Sequence, residues 1–150
     1  MENKLVPGKV VAVCISSRKG VKKQKITKGS LIKNTGLEGD AHASHNTHRQ
    51  VSLLAVESIK KMENKGLNTT PGLFAENIDT EGIDLLSLKP GSRISVGNSA
   101  VLEITQVGKE CHTKCEIYTQ VGDCIMPREG VFARVIQGGT VKKGDTIKLH

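Results

Sequence analysis

The chain has 150 residues, a formal net charge of +7 and a hydrophobic fraction of 37%, with no Trp, one Tyr and two Phe. That length supports one domain with an aliphatic core, so residues 1–150 are expected to form a single domain. No stretch approaches the roughly 20 apolar residues of a bilayer span, and Met1–Val6 lacks the apolar run of a signal peptide; a cytoplasmic protein is the expectation.

A basic chain attracts anions, but nucleic-acid binders usually add aromatic stacking platforms or a basic recognition helix. Aromatics make up 2% here, and the one Lys cluster is Lys19, Lys22, Lys23, Lys25 and Lys28. Those features argue against nucleic acid as partner and for a solvated Lys-rich surface that tolerates anionic ligands. Four cysteines in a cytoplasmic chain stay reduced, so they serve packing, metal binding or thiolate chemistry.

Gly8–Ser16 is short, β-branched and apolar, the pattern of a buried opening strand. Residues 17–50 are polar and without sustained periodicity, with one short strand expected within Lys25–Lys33. A stretch of that length in a compact domain is usually functional. Gln50–Leu54 reads as a strand. Residues 55, 56, 59 and 62 are apolar at helical spacing, and Gly66 follows as a stop. Pro71-Gly72 marks a turn, with short extended pieces at Leu73–Ile78 and Ile83–Leu86. Strands follow at Ile94–Val96, Ala100–Val107 and Val131–Ile136, and a turn plus closing strand at Val141–Leu149. Many short strands with one clear helix predict a mostly β, barrel-like or sandwich-like core.

Two segments are dense in reactive residue types. In Lys109–Cys115, Cys111 and Cys115 are four apart and share a face if the segment is helical. Lys109, Lys114 and Arg128 are cationic neighbours in sequence, with His112 nearby, and positive charge favours thiolate over thiol. A thiolate attacks sulfur or carbon, carries a persulfide or ligates a soft metal. Against this stands the ordinary role of cysteine as a small buried hydrophobe. Cys14, inside an apolar strand, fits that role, and Cys124 leans towards it. A zinc site of Cys111, His112, Cys115 and Cys124 fits poorly, because adjacent Cys111 and His112 cannot easily bind one ion and no second spaced pair exists.

The second segment, Thr35–Gln50, combines glycines with Asp40, His42, His45, His48 and Arg49. Glycines let backbone N–H groups approach an anion, and Arg49 offers a bidentate contact. The three-residue recurrence of His also suits a metal site. An anion- or cofactor-binding rim, a His-metal site and a plain polar loop all remain open on spacing alone.

The succession Gly36–His42, Arg49–Leu54, Gly72–Ile78 and Gly91–Gly97, then Lys109–Cys115 and Gly130–Ile136, resembles the MOSC domain, named for the C-terminal domain of molybdenum-cofactor sulfurase. The likeness runs over essentially the whole chain and is of the short, stand-alone bacterial type. It implies a MOSC-like β-barrel of mixed and antiparallel strands with one or two short helices. It also implies a molybdenum-cofactor-associated role: binding molybdopterin or molybdenum, or carrying sulfur on a cysteine for metal–sulfur cofactor assembly. Cys115 matches the family cysteine, as catalytic thiol or as metal ligand, and Cys111 resembles an upstream helper. By the same resemblance Ser17, Lys19, Asp40, His42, Arg49, Asn77 and Thr113 are the candidate cofactor contacts.

The chain departs from the amidoxime-reductase branch at Ala75, where that branch has an Arg, and lacks that branch's extra N-terminal barrel. No pyridoxal phosphate site is expected, since sulfurases carry that cofactor in another domain; a cysteine desulfurase in trans is the implied sulfur donor. The implied partners are the molybdenum cofactor or its biosynthetic and acceptor proteins, with no membrane. The competing readings are a non-catalytic module for a pterin or other small anion, and a metal-binding protein using the His loop and cysteines.

Overall fold

The computed structural model describes residues 7–19, 21–108 and 129–150. Cys111, His112, Thr113, Cys115 and Cys124, with Lys109, Lys114 and Arg128, lie outside them.

Strand β1 (Gly8–Ile15) opens the chain. Strands β2 (Gln24–Ile26), β3 (Lys28–Ile32) and β4 (Gly36–Leu37) follow, then β5 (Val51–Ala55) and helix α1 (Val56–Glu63). Strands β6 (Ile78–Glu81), β7 (Arg93–Val96) and β8 (Ala100–Val107) come next, and β9 (Val131–Gln137), β10 (Gly139–Lys142) and β11 (Thr146–Leu149) end the chain. The main sheet runs β11-β7-β8-β9-β5-β6-β1, with β2 beyond β1, and β11 pairs back to β1 to close a seven-strand barrel. The β5–β6 pair is parallel and the other pairs are antiparallel, so the barrel is mixed, as expected. That parallel pair needs a crossover, which α1 and residues 64–77 supply. A small sheet, β10-β3-β4, packs alongside.

Two apolar layers follow from strand alternation. Val13, Leu53, Ile78, Leu102, Ile104 and Val131 fill the barrel. On the outer face of β5 and β9, Leu54 and Phe132 meet Ile59, Met62, Leu67 and Phe74 from the crossover. Burying each large side chain contributes about 1.5–3 kcal/mol.

Three sequence expectations need correction. The one strand expected in Lys25–Lys33 is two, β2 and β3, split at Thr27. Leu73–Ile78 is a turn and not an extended piece: Leu73 N–H donates to Thr70 O and Ala75 N–H to Gly72 O. Ala75 is left-handed there (φ 65°). Ile83–Leu86 contains the start of a 3₁₀ turn over Leu85–Ser87, closed by Leu88 N–H on Leu85 O, which buries Leu85 and leaves Leu86 exposed.

Candidate functional site

The strand registers set a row of residues across the outer face of the barrel. Cys14 of β1 donates its N–H to Asn77 O at 2.7 Å; Asn77 adjoins Ser52 of β5; Ser52 faces Phe132 of β9; Phe132 faces Gln106 of β8. The conspicuous polar groups of the described residues gather along this row.

At its β1 end lies a buried ion pair. Lys23 Nζ is 2.8 Å from Asp40 Oδ1, and both side chains are fully buried. Lys23 also bonds Ser16 Oγ at 3.2 Å and His42 Nδ1 at 3.0 Å. Asp40 accepts the Ser16 N–H on Oδ1 and the His42 N–H on Oδ2, each at 3.1 Å. Burial alone raises the Asp40 pKa, but hydrogen bonds from Lys23 and Ser16 and the Lys23 charge outweigh it and hold the carboxyl below its usual value. In the irregular segment just before β2, Lys22 is exposed and its neighbour Lys23 is buried. Gly72 lets the crossover close over it. A Cβ on Gly72 would lie 2.2 Å from Lys23 O, and Lys23 N–H donates to Gly72 O at 2.8 Å.

At the centre of the row Asn77 is fully engaged. Its Oδ1 accepts from Ser52 N–H and Oγ, and its Nδ2 donates to Cys14 O at 3.0 Å. Asn77 therefore locks β1 to β5 across β6. Beside it, Glu76 is buried and accepts the Gly72 and Phe74 N–H groups, each at 3.0 Å. Asp79 is also buried, and its Oδ1 has no hydrogen-bond partner. Burial, then hydrogen bonding with Glu76 and its charge, pushes the Asp79 pKa up to about 10. Asp79 is thus a neutral acid at pH 7. Burial, with the charges of Asp79 and Glu76, pushes the Cys14 thiol up to about 12. That makes Cys14 an inert packing residue.

At the other end Arg49 lies over the Phe132 ring, 5.3 Å from its centroid. Its Nε donates to Gln106 Oε1 at 3.0 Å, and Gln106 Nε2 donates to Gly108 O at 2.6 Å. Gly108 N–H donates to Gly130 O at 2.6 Å. Gly108 and Gly130 flank the residues that include Cys111 and Cys115, so Arg49 is tied to the residue that precedes them. His48 bonds Thr105 Oγ1 through Nδ1 at 2.8 Å.

Family comparison supplies the deciding observation: residues 38–148 match the MOSC domain. The chain belongs to the MOSC domain family. No curated protein sequence matches it. Among solved structures, this MOSC chain is similar to the YuaD protein from Bacillus subtilis, at 21% identity and TM-score 0.79, covering 96% of each chain. It is similar to YiiM from Geobacillus stearothermophilus (18% identity, TM-score 0.71), covering 96% of this chain and 75% of that one. YiiM from Escherichia coli shares 18% identity at TM-score 0.68, covering 97% and 70% of the two chains. At these identities the likeness is one of fold.

Of the site residues expected from sequence, Asp40 and His42 meet at the β1 end, Asn77 sits at the centre of the row, and Arg49 lies three strands from β1, over β9. Ser17 and Lys19 are exposed just past β1; it is Ser16 that joins the buried pair. Thr113 and Cys115 lie outside the described residues. Sequence reasoning missed Lys23 as a buried residue, along with Glu76, Asp79 and Gln106. Nothing in the sequence flags Lys23, one of a run of lysines, or Asp79, which looks like any acid before a turn. Among the described residues no three His, Cys, Asp or Glu side chains converge to hold a metal. No helix among them is long and apolar enough to cross a membrane.

Proposed function

We propose that this MOSC chain is a molybdenum-cofactor-associated protein, binding the anionic pterin cofactor or carrying sulfur for its assembly, with Cys115 as the thiol that meets molybdenum or sulfur. The observation that supports the reading is the tether from Arg49 through Gln106 to Gly108. It ties a guanidinium, stacked on Phe132, to the residue that precedes the cysteine segment. A guanidinium fixed through Nε keeps its two Nη groups for a phosphate or oxo oxygen.

The residues present fit an anion of this class. The net charge is +7, and the row carries the Arg49 guanidinium at one end, while Asp40 is paired with Lys23, Glu76 accepts two backbone N–H groups and Asp79 is neutral. Ser17 and Lys19, exposed past β1, are further candidate phosphate contacts, and Thr113 belongs with Cys115. When bound, the cofactor would supply molybdenum redox and sulfur-accepting chemistry; the chain's part is to attract the anion, orient it and hold the thiol.

In the sulfur-carrying role, the Cys115 thiolate attacks the outer sulfur of a desulfurase persulfide. One S–S bond forms on Cys115, the donor S–S bond breaks, and the donor thiolate leaves. Mass spectrometry of the chain incubated with a cysteine desulfurase and cysteine tests this. The expected result is a persulfide at Cys115 that Cys115→Ser abolishes while Cys14 stays unmodified. Undiminished sulfur loading in a folded Cys115→Ser variant would remove this role.

A further inference from the structure

A strand presents successive side chains to opposite faces. Strand β8 departs from that rule near its end. Ile104 pairs with Ala133 and Gln106 with Phe132, so Thr105 is the extra residue of a β-bulge. Thr105 and Gln106 thereby both reach the loop that leads into β5. Thr105 Oγ1 meets His48 Nδ1 at 2.8 Å, and Gln106 Oε1 accepts from Arg49 Nε at 3.0 Å. Two consecutive strand residues thus hold two consecutive loop residues side by side.

The Thr105 hydroxyl also fixes the proton on His48. Oγ1 has three neighbours: His48 Nδ1, His48 O at 3.1 Å and Phe132 O at 3.3 Å. The carbonyls only accept, and the hydroxyl has one proton. Given to Nδ1, that proton would leave the lone pairs of Oγ1 against two carbonyl oxygens. Given to the carbonyls, it leaves Oγ1 free to accept from Nδ1–H. The ring proton therefore sits on Nδ1, and the neutral imidazole carries its lone pair on Nε2. His48 is exposed, and Nε2 has no hydrogen-bond partner among the described residues. Arg49, equally exposed, is fixed beside it through Nε and the Phe132 ring.

We propose that His48 and Arg49 form a site for a phosphate that brings its own proton: the Arg49 Nη groups donate to its bare oxygens, and His48 Nε2 accepts from its P–OH. Thr105 is a positioning residue, because it aims the ring. An oxyanion without a proton would set an oxygen lone pair against that of Nε2. The site therefore selects hydrogen phosphate over sulfate, which has similar shape and charge but nothing to donate. Reading that phosphate as part of a pterin cofactor rests on the function proposed above; the pairing of the two residues does not.

Titration of the cofactor-free chain at pH 8 with inorganic phosphate, sulfate and methyl phosphate, followed on the His48 ring resonances, decides the matter with Cys115 untouched. At that pH inorganic phosphate keeps one P–OH proton, while sulfate and the monoester have none. Inorganic phosphate should bind about tenfold or more tighter than either, the worth of one hydrogen bond to a charged group. His48→Ala should abolish that preference. Thr105→Val should weaken it and Thr105→Ser restore it. At pH 6 methyl phosphate gains its proton. Binding there that approaches that of inorganic phosphate assigns the site to a phosphomonoester, and rejection there assigns it to free phosphate. Sulfate bound as tightly as inorganic phosphate at pH 8, no phosphate binding by the folded chain, or a ring proton on Nε2 in the long-range ¹H–¹⁵N pattern overturns the proposal. None of these results bears on sulfur loading at Cys115, so the two readings fail separately.

Discussion

Asp40 and Asp79 are both buried aspartates, the first beside the end of β1 and the second paired with Ala12 within it, and they hold opposite charge states. Asp40 has Lys23 at 2.8 Å and two backbone N–H donors, so it stays ionised. Asp79 has the Glu76 carboxyl as neighbour and an unpartnered Oδ1, so it stays protonated. Burial is common to both; the partner decides. The fold uses the ionised residue to hold a lysine and a histidine in place, and the neutral one to line the layer beneath the crossover.

The largest expected effect comes from breaking the first arrangement. Lys23→Met leaves Asp40 buried and uncompensated, which costs about 3–5 kcal/mol. The double variant Lys23→Met, Asp40→Asn should recover much of that, since no lone charge remains. Urea unfolding of the four members of this cycle checks both statements. If the single and double variants are equally destabilised, the pair is not an electrostatic unit.

The two aspartates also set opposite pH slopes. Asp40 has a lowered folded pKa, so its contribution is present above the unfolded value of about 4 and is lost as pH falls. The folded pKa of Asp79 is raised. Its contribution is full below about 4 and is lost as pH rises towards its folded value of about 10. Asp79→Asn, a neutral stand-in of the same shape, should change stability little at pH 5 and be relatively stabilising at pH 9. Unfolding midpoints at the two values test this; a variant with the same loss of stability between pH 5 and 9 as the parent shows that Asp79 is already ionised in the fold.

The smallest effect on stability is expected at the far end of the row. Arg49→Ala removes an exposed guanidinium and should shift stability by about 0.5 kcal/mol or less, while weakening the binding of an anionic pterin, read by titration of the two proteins. A large stability loss with unchanged binding would make Arg49 a packing residue of Phe132.

Long periodic elements were the legible part of the fold. Ala100–Val107 is β8 to the residue, and the 55, 56, 59, 62 spacing marks α1 because one helical face must meet Leu54 and Phe132. Residues 17–50 were not legible as structure. Their strands have two to five residues, too few for alternation to register, and Gly36 makes the close approach. A Cβ there would meet Gln50 O at 2.6 Å. In the site, residue types pointed to the loop with Asp40, His42 and Arg49, and the family resemblance to Asn77, but chemistry alone does not reveal burial. Lys23 looks like its solvated neighbours in a run of lysines, and Asp79 lies in the mostly polar strand β6, Ile78–Glu81, with nothing to mark it as neutral.

The central claim joins this row of donors to Cys115, and native mass spectrometry of the purified chain with molybdenum cofactor tests it most directly. The account predicts a one-to-one adduct whose peptide map leads to Cys115, weakened in Arg49→Ala and lost in Cys115→Ser. An adduct that survives Cys115→Ser unchanged, or no adduct with the intact folded chain, would contradict it.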